Sequence, residues 1–210
     1  MKKLLLTALI ASMLIVPLGN TALAGHEEVA PPVSAQDFVP GDAPAGNAAP
    51  EAMLPAVHGL VLAMLNHDMD EFDRTNSALA WESLYNMLSL YGELDSRCDE
   101  SNGELFLLEE TVRDYASALD LQLDELGPLP EELWDRINYD NVSQGYVLVC
   151  GDTGPVQIQM DSLQNGQDGI TLSGSLIYLA SGEVLASFQA GLSATDSMFG
   201  FAIDTLTVNA

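Results

Sequence analysis

The chain contains no lysine after Lys3, although it carries 31 aspartates and glutamates. Its other cationic residues are four arginines: Arg74, Arg97, Arg113 and Arg136. Without lysine, the remainder of the chain cannot form a lysine Schiff base or a Gly-x-x-x-x-Gly-Lys phosphate loop. Four arginines among so many acids also disfavour nucleic acid and anionic lipid as partners, because both are bound through cationic side chains.

Histidine and cysteine are scarce as well. The chain has three histidines and no His-Glu-x-x-His or Gly-x-Ser-x-Gly motif, so the signatures of zinc proteases and serine hydrolases are absent. Cys98 and Cys150 are the only cysteines. An even number of cysteines in an exported chain favours a disulfide. We therefore predict a Cys98–Cys150 bond.

Residues 1–24 have the three parts of a secretory signal: Lys2 and Lys3, an uncharged apolar stretch over 4–18, and small residues at Ala22 and Ala24. The apolar stretch is short for a membrane span, and no cysteine follows it for lipid attachment. We expect Sec-type export from a bacterial cell to the periplasm or the exterior. After cleavage we expect no lipid anchor and no membrane insertion.

The remainder of the chain divides into a tether and one domain. Residues 25–50 are rich in alanine, proline and glycine and have no helical or alternating pattern, which is typical of a disordered segment. Residues 51–210 have the usual length of a single domain. Once the signal is removed, four arginines against 31 acids leave a formal charge of −27.

The domain pattern predicts an α+β fold. Residues 51–144 show helical spacing in about four segments, of which the clearest runs from Leu105 to Leu126 and the last begins at Pro130. Residues 145–210 contain about five apolar or alternating stretches separated by short turns, at 146–150, 156–160, 170–178, 184–189 and 199–208. Connections this short predict an antiparallel meander, with the helices packed on it.

Charge divides in the same way as the pattern. Residues 51–144 hold 21 acids and all four arginines, a net charge of −17, whereas residues 145–210 hold six acids and no lysine or arginine. The sheet half is rich in serine, threonine, glutamine and glycine. We expect an uncharged protein or glycan ligand to use the sheet face, and a cationic partner to use the acidic helical face.

Asp68, Asp70 and Asp73, together with Glu71, form a cluster of carboxylates between two predicted helical segments. Several carboxylate oxygens in one shell suit calcium, so the three aspartates are the candidate metal ligands. Their spacing does not match an EF-hand loop, and a solvated helix start explains the same acids. No other cofactor is predicted, and no residue is assigned a catalytic role.

The predicted function is therefore that of a secreted, acidic bacterial protein acting as a non-catalytic binding or accessory module of the cell envelope or exterior. Two alternatives remain open. One is a glycan-directed hydrolase that uses two carboxylates. The other is a divalent-cation-binding protein built on the aspartate group.

Overall fold

The structure is a computed structural model that describes residues 49–152, 154–166 and 169–210. The predicted signal and nearly all of the predicted tether lie outside these residues. The described chain is α+β, as predicted, with three α-helices and two antiparallel sheets of four strands each. Among the residues that the structure describes, no helix has the length and apolar character needed to cross a membrane.

Helix α1 (Leu54–Asn66) is apolar on every side, and ten of its 13 residues are buried. A helix of this kind belongs in the interior of a protein. It contacts α2 (Ser77–Tyr91), which begins where the side chain of Asn76 accepts a hydrogen bond from the Leu79 amide at 3.1 Å. The two helices approach closely at Gly59, where a Cβ atom would lie 2.8 Å from the Met87 amide nitrogen.

The C-terminal strands form the meander sheet, with the order β5-β6-β7-β8. Its strands are β5 (Val156–Asn165), β6 (Ile170–Tyr178), β7 (Glu183–Ala194) and β8 (Phe201–Asn209). Both edge strands contact α1, so the inner face of the sheet is covered. The free edge of β8 also pairs with the segment between α1 and α2. The Phe72 amide donates to the Leu206 carbonyl and the Val208 amide donates to the Asp70 carbonyl, both at 2.9 Å.

The other sheet has the order β1-β2-β4-β3. It is called the first sheet because its strands come first along the chain. Its strands are β1 (Asp99–Ser101), β2 (Glu104–Leu108), β3 (Ile137–Asp140) and β4 (Gly145–Val149). The prediction of one five-stranded sheet is therefore wrong in detail, because the stretch at 146–150 forms β4 of this separate sheet. The β1–β2 turn is Asn102-Gly103, with φ of 57° and 79°, as a tight hairpin requires.

Two of the four predicted helices also differ. The stretch that begins at Leu105 starts as β2, and helix α3 covers only Glu109–Ala118. The segment after Pro130 forms a single 3₁₀ turn, Glu131–Leu133, and Ile137 already belongs to β3. Apolar residues three and four apart occur in both segments, but β2 and β3 each gain a strand partner in β4, and that pairing decides their conformation.

One hydrophobic core joins the three helices and both sheets. Its buried residues come from α1, α2 and α3, from Leu105 and Leu148 of the first sheet, and from Leu172 and Phe188 of the meander sheet. The two sheets consequently share their stabilising contacts within the described chain.

Candidate functional site

The outer face of the meander sheet carries uncharged polar side chains in rows that cross the strands. Successive strand residues point to opposite faces. Because Ile158, Leu172 and Phe188 are buried on the inner face, their neighbours point outward. The strand register aligns these neighbours in three rows: Gln159, Ser175, Ser187 and Asn209; Ser162, Ser173, Gln189 and Thr207; Gln164, Thr171, Gly191 and Thr205.

These three rows, here called the polar rows, contain no ionisable and no aromatic side chain. Hydroxyl and amide groups both donate and accept hydrogen bonds, and neighbouring strands set them about 5 Å apart. The nearest carboxylate belongs to Asp161 at a bulge in β5, and it accepts a hydrogen bond from the Ser175 hydroxyl at 2.6 Å. The face therefore suits a ligand that is itself uncharged and rich in hydrogen-bonding groups.

The acidic half is organised around its arginines. Arg113 lies 2.6 Å from Glu109, which is four residues earlier on α3, and 2.7 Å from Asp124. The Tyr139 hydroxyl also donates to Glu109 at 2.6 Å. The hydrogen bonds from Tyr139 and Arg113 hold the pKa of Glu109 below its usual range. These side chains lie at the surface, and their charges are paired with one another.

Asp95 is the one buried carboxylate among the described residues, with 3% of its surface exposed. Its two oxygens lie 3.0 Å and 2.8 Å from Arg97 Nε and Nη2, and Arg97 also reaches Asp114 at 2.6 Å. Burial raises the pKa of Asp95, but the hydrogen bonds and charge of Arg97 outweigh this effect and leave the pKa below its ordinary value. A carboxylate held in this way stabilises the loop and is not available as a general acid.

The predicted metal ligands Asp68, Asp70 and Asp73 lie between α1 and α2. Asp73 accepts hydrogen bonds from the amide and hydroxyl of Thr75, at 2.9 Å and 2.6 Å, which lowers the pKa of Asp73. The carbonyl of Asp70 pairs with β8, and Asp68 takes a left-handed φ of 53° just after α1. Over residues 49–152, 154–166 and 169–210, no group of three histidine, cysteine or carboxylate side chains is arranged to hold a metal ion.

Cys98 and Cys150 are free thiols, so the predicted disulfide is absent. The physical reason is topological. Cys98 immediately precedes β1 and Cys150 immediately follows β4, and β2 lies between these two strands. Two strand spacings amount to roughly 10 Å, which exceeds the Cα separation of about 7 Å that a disulfide can bridge. Burial and the nearby Asp95 raise the pKa of Cys98 to about 11, so its thiol stays protonated.

His58 of α1 lies in the core. It is 1% exposed and its Nδ1 lies 2.5 Å from the Tyr91 hydroxyl. Burial lowers the pKa of His58 to about 4, so the ring is neutral at pH 7. Its position in the interior excludes it from a surface site.

No family model matches the chain, and no curated protein or solved structure shows a significant similarity to it. The surfaces of the described chain are therefore the evidence for its function.

The sequence predicts the neutral, polar character of the meander strands but not the rows, because the register across four strands is fixed by the turns and bulges. It does not predict the Asp95–Arg97 pair, for which a buried aspartate two residues before an arginine gives no distinctive signal.

Proposed function

We propose that this protein is a secreted, non-catalytic binding or accessory module of a bacterial cell envelope or exterior, and that its ligand docks on the polar rows. The observation that carries the proposal is the alignment of serine, threonine, glutamine and asparagine side chains across four strands without an ionisable group in the rows. The signal pattern in residues 1–24 supports the compartment, through Sec-type export to the periplasm or the exterior.

An uncharged glycan is the ligand class that this chemistry fits most directly. Glycan hydroxyls donate and accept hydrogen bonds, as do the side chains in the rows. A glycan also avoids the repulsion that the acidic half exerts on anionic ligands. A protein with an uncharged polar surface is the second partner class that would fit these rows.

Three observations favour this role over the alternatives. The inner face of the meander sheet is filled by the core, so it offers no cleft for a pair of catalytic carboxylates. The one buried carboxylate of the described chain, Asp95, is paired with Arg97. The candidate calcium ligands Asp68, Asp70 and Asp73 gain no support from their arrangement.

Co-sedimentation of the mature protein with insoluble peptidoglycan, chitin and cellulose tests the proposal. The informative variant is Gln189→Lys, which places a charge in the centre of the polar rows, and the matched control is Gln122→Lys, an exposed glutamine outside the sheet. We expect at least one polymer to bind the mature protein and the control. We expect Gln189→Lys to weaken that binding about tenfold, because a desolvated, unpaired charge is costly.

Salt separates the sheet face from the acidic helical face. Binding through the polar rows should be unchanged between about 0.1 M and about 1 M NaCl, since uncharged hydrogen bonds are not screened. Binding that disappears in high salt would instead identify a cationic partner on the helical face. Equal loss of binding in both lysine variants would contradict the assignment to the polar rows.

The compartment has its own test. Expression of the full chain in a bacterial host should give a mature protein that begins at Gly25, as measured by intact mass. A periplasmic or secreted product that retains residues 1–24 would contradict signal cleavage.

A further inference from the structure

Three grooves on the described surface each contain one arginine, and the three arginines differ in their partners. Arg74 lies 3.3 Å from Asp120, and Arg113 is held between two carboxylates. Arg136, in the third groove, forms no ion pair with any described residue. An unpaired arginine is unexpected in a domain half with 21 acids and four arginines.

The groove around Arg136 has a volume of about 520 Å³, which is within the range of small-ligand sites. It is bounded by the end of α1, the first turns of α2 and the segment that precedes β3. Its lining residues are Asn66, His67, Ala78, Glu82, Pro130, Glu132, Leu133 and Arg136.

Arg136 is positioned before any ligand arrives. Its guanidinium lies over the ring of Tyr85, 5.9 Å from the ring centroid. Its backbone is fixed on both sides, because its amide donates to the Leu133 carbonyl and its carbonyl accepts from the Val149 amide, each at 2.8 Å. A guanidinium held in this way loses little conformational freedom when it binds a carboxylate through two parallel hydrogen bonds.

The two glutamates of the groove have different roles. Each oxygen of Glu82 already has one hydrogen-bond partner, Asn66 Nδ2 at 2.7 Å and His67 Nε2 at 2.8 Å. These contacts hold the Glu82 side chain against the wall of the groove. Glu132 is exposed and forms no ion pair with a described residue, so it can accept a cation.

We propose that this groove binds a small zwitterion, an amino acid or a short peptide, with its carboxylate on Arg136 and its ammonium group on Glu132. A simple anion is repelled by the net charge of −17 over residues 51–144, whereas a zwitterion has no net charge. Pro130 and Leu133 add an apolar wall, which suits an aliphatic side chain. This site is separate from the polar rows and stands independently of them.

Calorimetric titration of the mature protein tests the proposal with four probes: leucine, alanyl-leucine, leucinamide and N-acetylleucine. Leucinamide lacks the carboxylate, and N-acetylleucine lacks the ammonium group. We expect leucine or alanyl-leucine to bind. The tighter binder of the two shows whether the groove prefers a free amino acid or a short peptide. Leucinamide and N-acetylleucine should each bind about tenfold more weakly or worse, because each leaves one charged group of the groove unpaired.

Variants show which side chain binds each charged group of the ligand. Arg136→Gln should weaken binding of the zwitterion by about tenfold or more. Arg136→Lys should give an intermediate loss of affinity, because lysine keeps the charge but not the paired hydrogen-bond geometry. Arg113→Gln is the matched control and should bind as the mature protein does. Glu132→Gln should weaken binding of the zwitterion but leave the affinity for N-acetylleucine unchanged, since that probe has no ammonium group. Urea unfolding of each variant confirms that it is folded, as expected for exposed side chains.

Three outcomes would overturn the proposal. The first is that neither leucine nor alanyl-leucine binds at about 10 mM, a concentration that detects even weak sites. The second is that Arg136→Gln binds as tightly as the mature protein. The third is that N-acetylleucine binds as tightly as leucine, which would identify a general anion site.

Discussion

The two antiparallel sheets have the same number of strands but are built in different ways. The strands of the first sheet are three to five residues long, whereas those of the meander sheet are nine to twelve residues long. Three of the four strands of the first sheet lie in the acidic half, where arginine–carboxylate pairs hold the connections, whereas the polar rows of the meander sheet contain no ionisable side chain. Long strands can rely on their own ladders, whereas short strands need side-chain contacts from their surroundings.

This difference does not separate the molecule into two folding units. Leu105 of β2 and Phe188 of β7 belong to the same buried cluster, together with α1 and α2. A sheet stabilised by ion pairs and a sheet stabilised by its ladder should therefore unfold together, although they should respond differently to pH and salt.

The largest expected effect comes from the shared core. Phe188 packs over Gly174, where a Cβ atom would lie 2.4 Å from the phenylalanine ring. Phe188→Ala should lower the free energy of unfolding by about 3–5 kcal/mol, and Leu105→Ala should lower it by about 2–5 kcal/mol. Urea unfolding should give one transition in both variants. Val142→Ala, at a side chain that is 93% exposed, is the control and should change stability by less than about 0.5 kcal/mol. Two separate transitions would contradict the single core.

A smaller loss is expected from the ion pair between the buried Asp95 and the exposed Arg97, just before the first sheet. Asp95→Asn removes the charge that faces Arg97 and should cost about 1–3 kcal/mol at neutral pH. The pKa of Asp95 lies below its ordinary value of 3.8, so its contribution is fully present above that value and is lost as the pH falls through the folded-state pKa. The difference between wild type and variant should therefore narrow below about pH 4. A difference that stays constant down to about pH 2 would show that charge is not its origin.

Surface pairs of the acidic half should contribute less than Asp95 does. Arg113→Gln leaves Glu109 and Asp124 without their shared cation, and their repulsion should lower the melting temperature slightly in low salt. Because these side chains are exposed, about 1 M NaCl should remove most of the difference. Gln164→Ala on the polar rows is the control, and its melting temperature should follow that of the wild type at every salt concentration. A salt-independent loss in Arg113→Gln would mean that packing, and not charge, is responsible.

The difference in strand length between the two sheets also explains how much of the fold could be predicted from the sequence. Alternation along Val156, Ile158 and Met160 and the turn residues between strands predicted all four strands of the meander sheet. Of the first sheet only β4 was predicted as a strand, because β1, β2 and β3 have too few residues to establish a period of two. Asn102-Gly103 is typical of a tight hairpin turn, and from this dipeptide the β1–β2 hairpin could have been predicted.

Sites were less predictable than elements for a physical reason. The polar rows depend on register, which is set by bulges at Met160/Ser162 and Gly191/Leu192 that no local pattern marks. The groove around Arg136 depends on three segments that are distant in sequence. Composition alone identified which half was neutral and which was acidic, because that property is a sum over residues and needs no contacts.

The smallest expected effect concerns the two cysteines beside the first sheet. Both thiols are free, and β2 separates the strands that they flank. Reduction of the protein, purified under oxidising conditions, should therefore leave its mass and its melting temperature unchanged. Cys150→Ser should unfold at the same temperature as the wild type under oxidising conditions, since no cross-link is lost. A gain of two hydrogens on reduction, with a lower melting temperature, would mean that the β1–β2–β4 order is altered in the purified protein. The first sheet, unlike the meander sheet, would then owe its stability to a covalent bond rather than to the ion pairs around it.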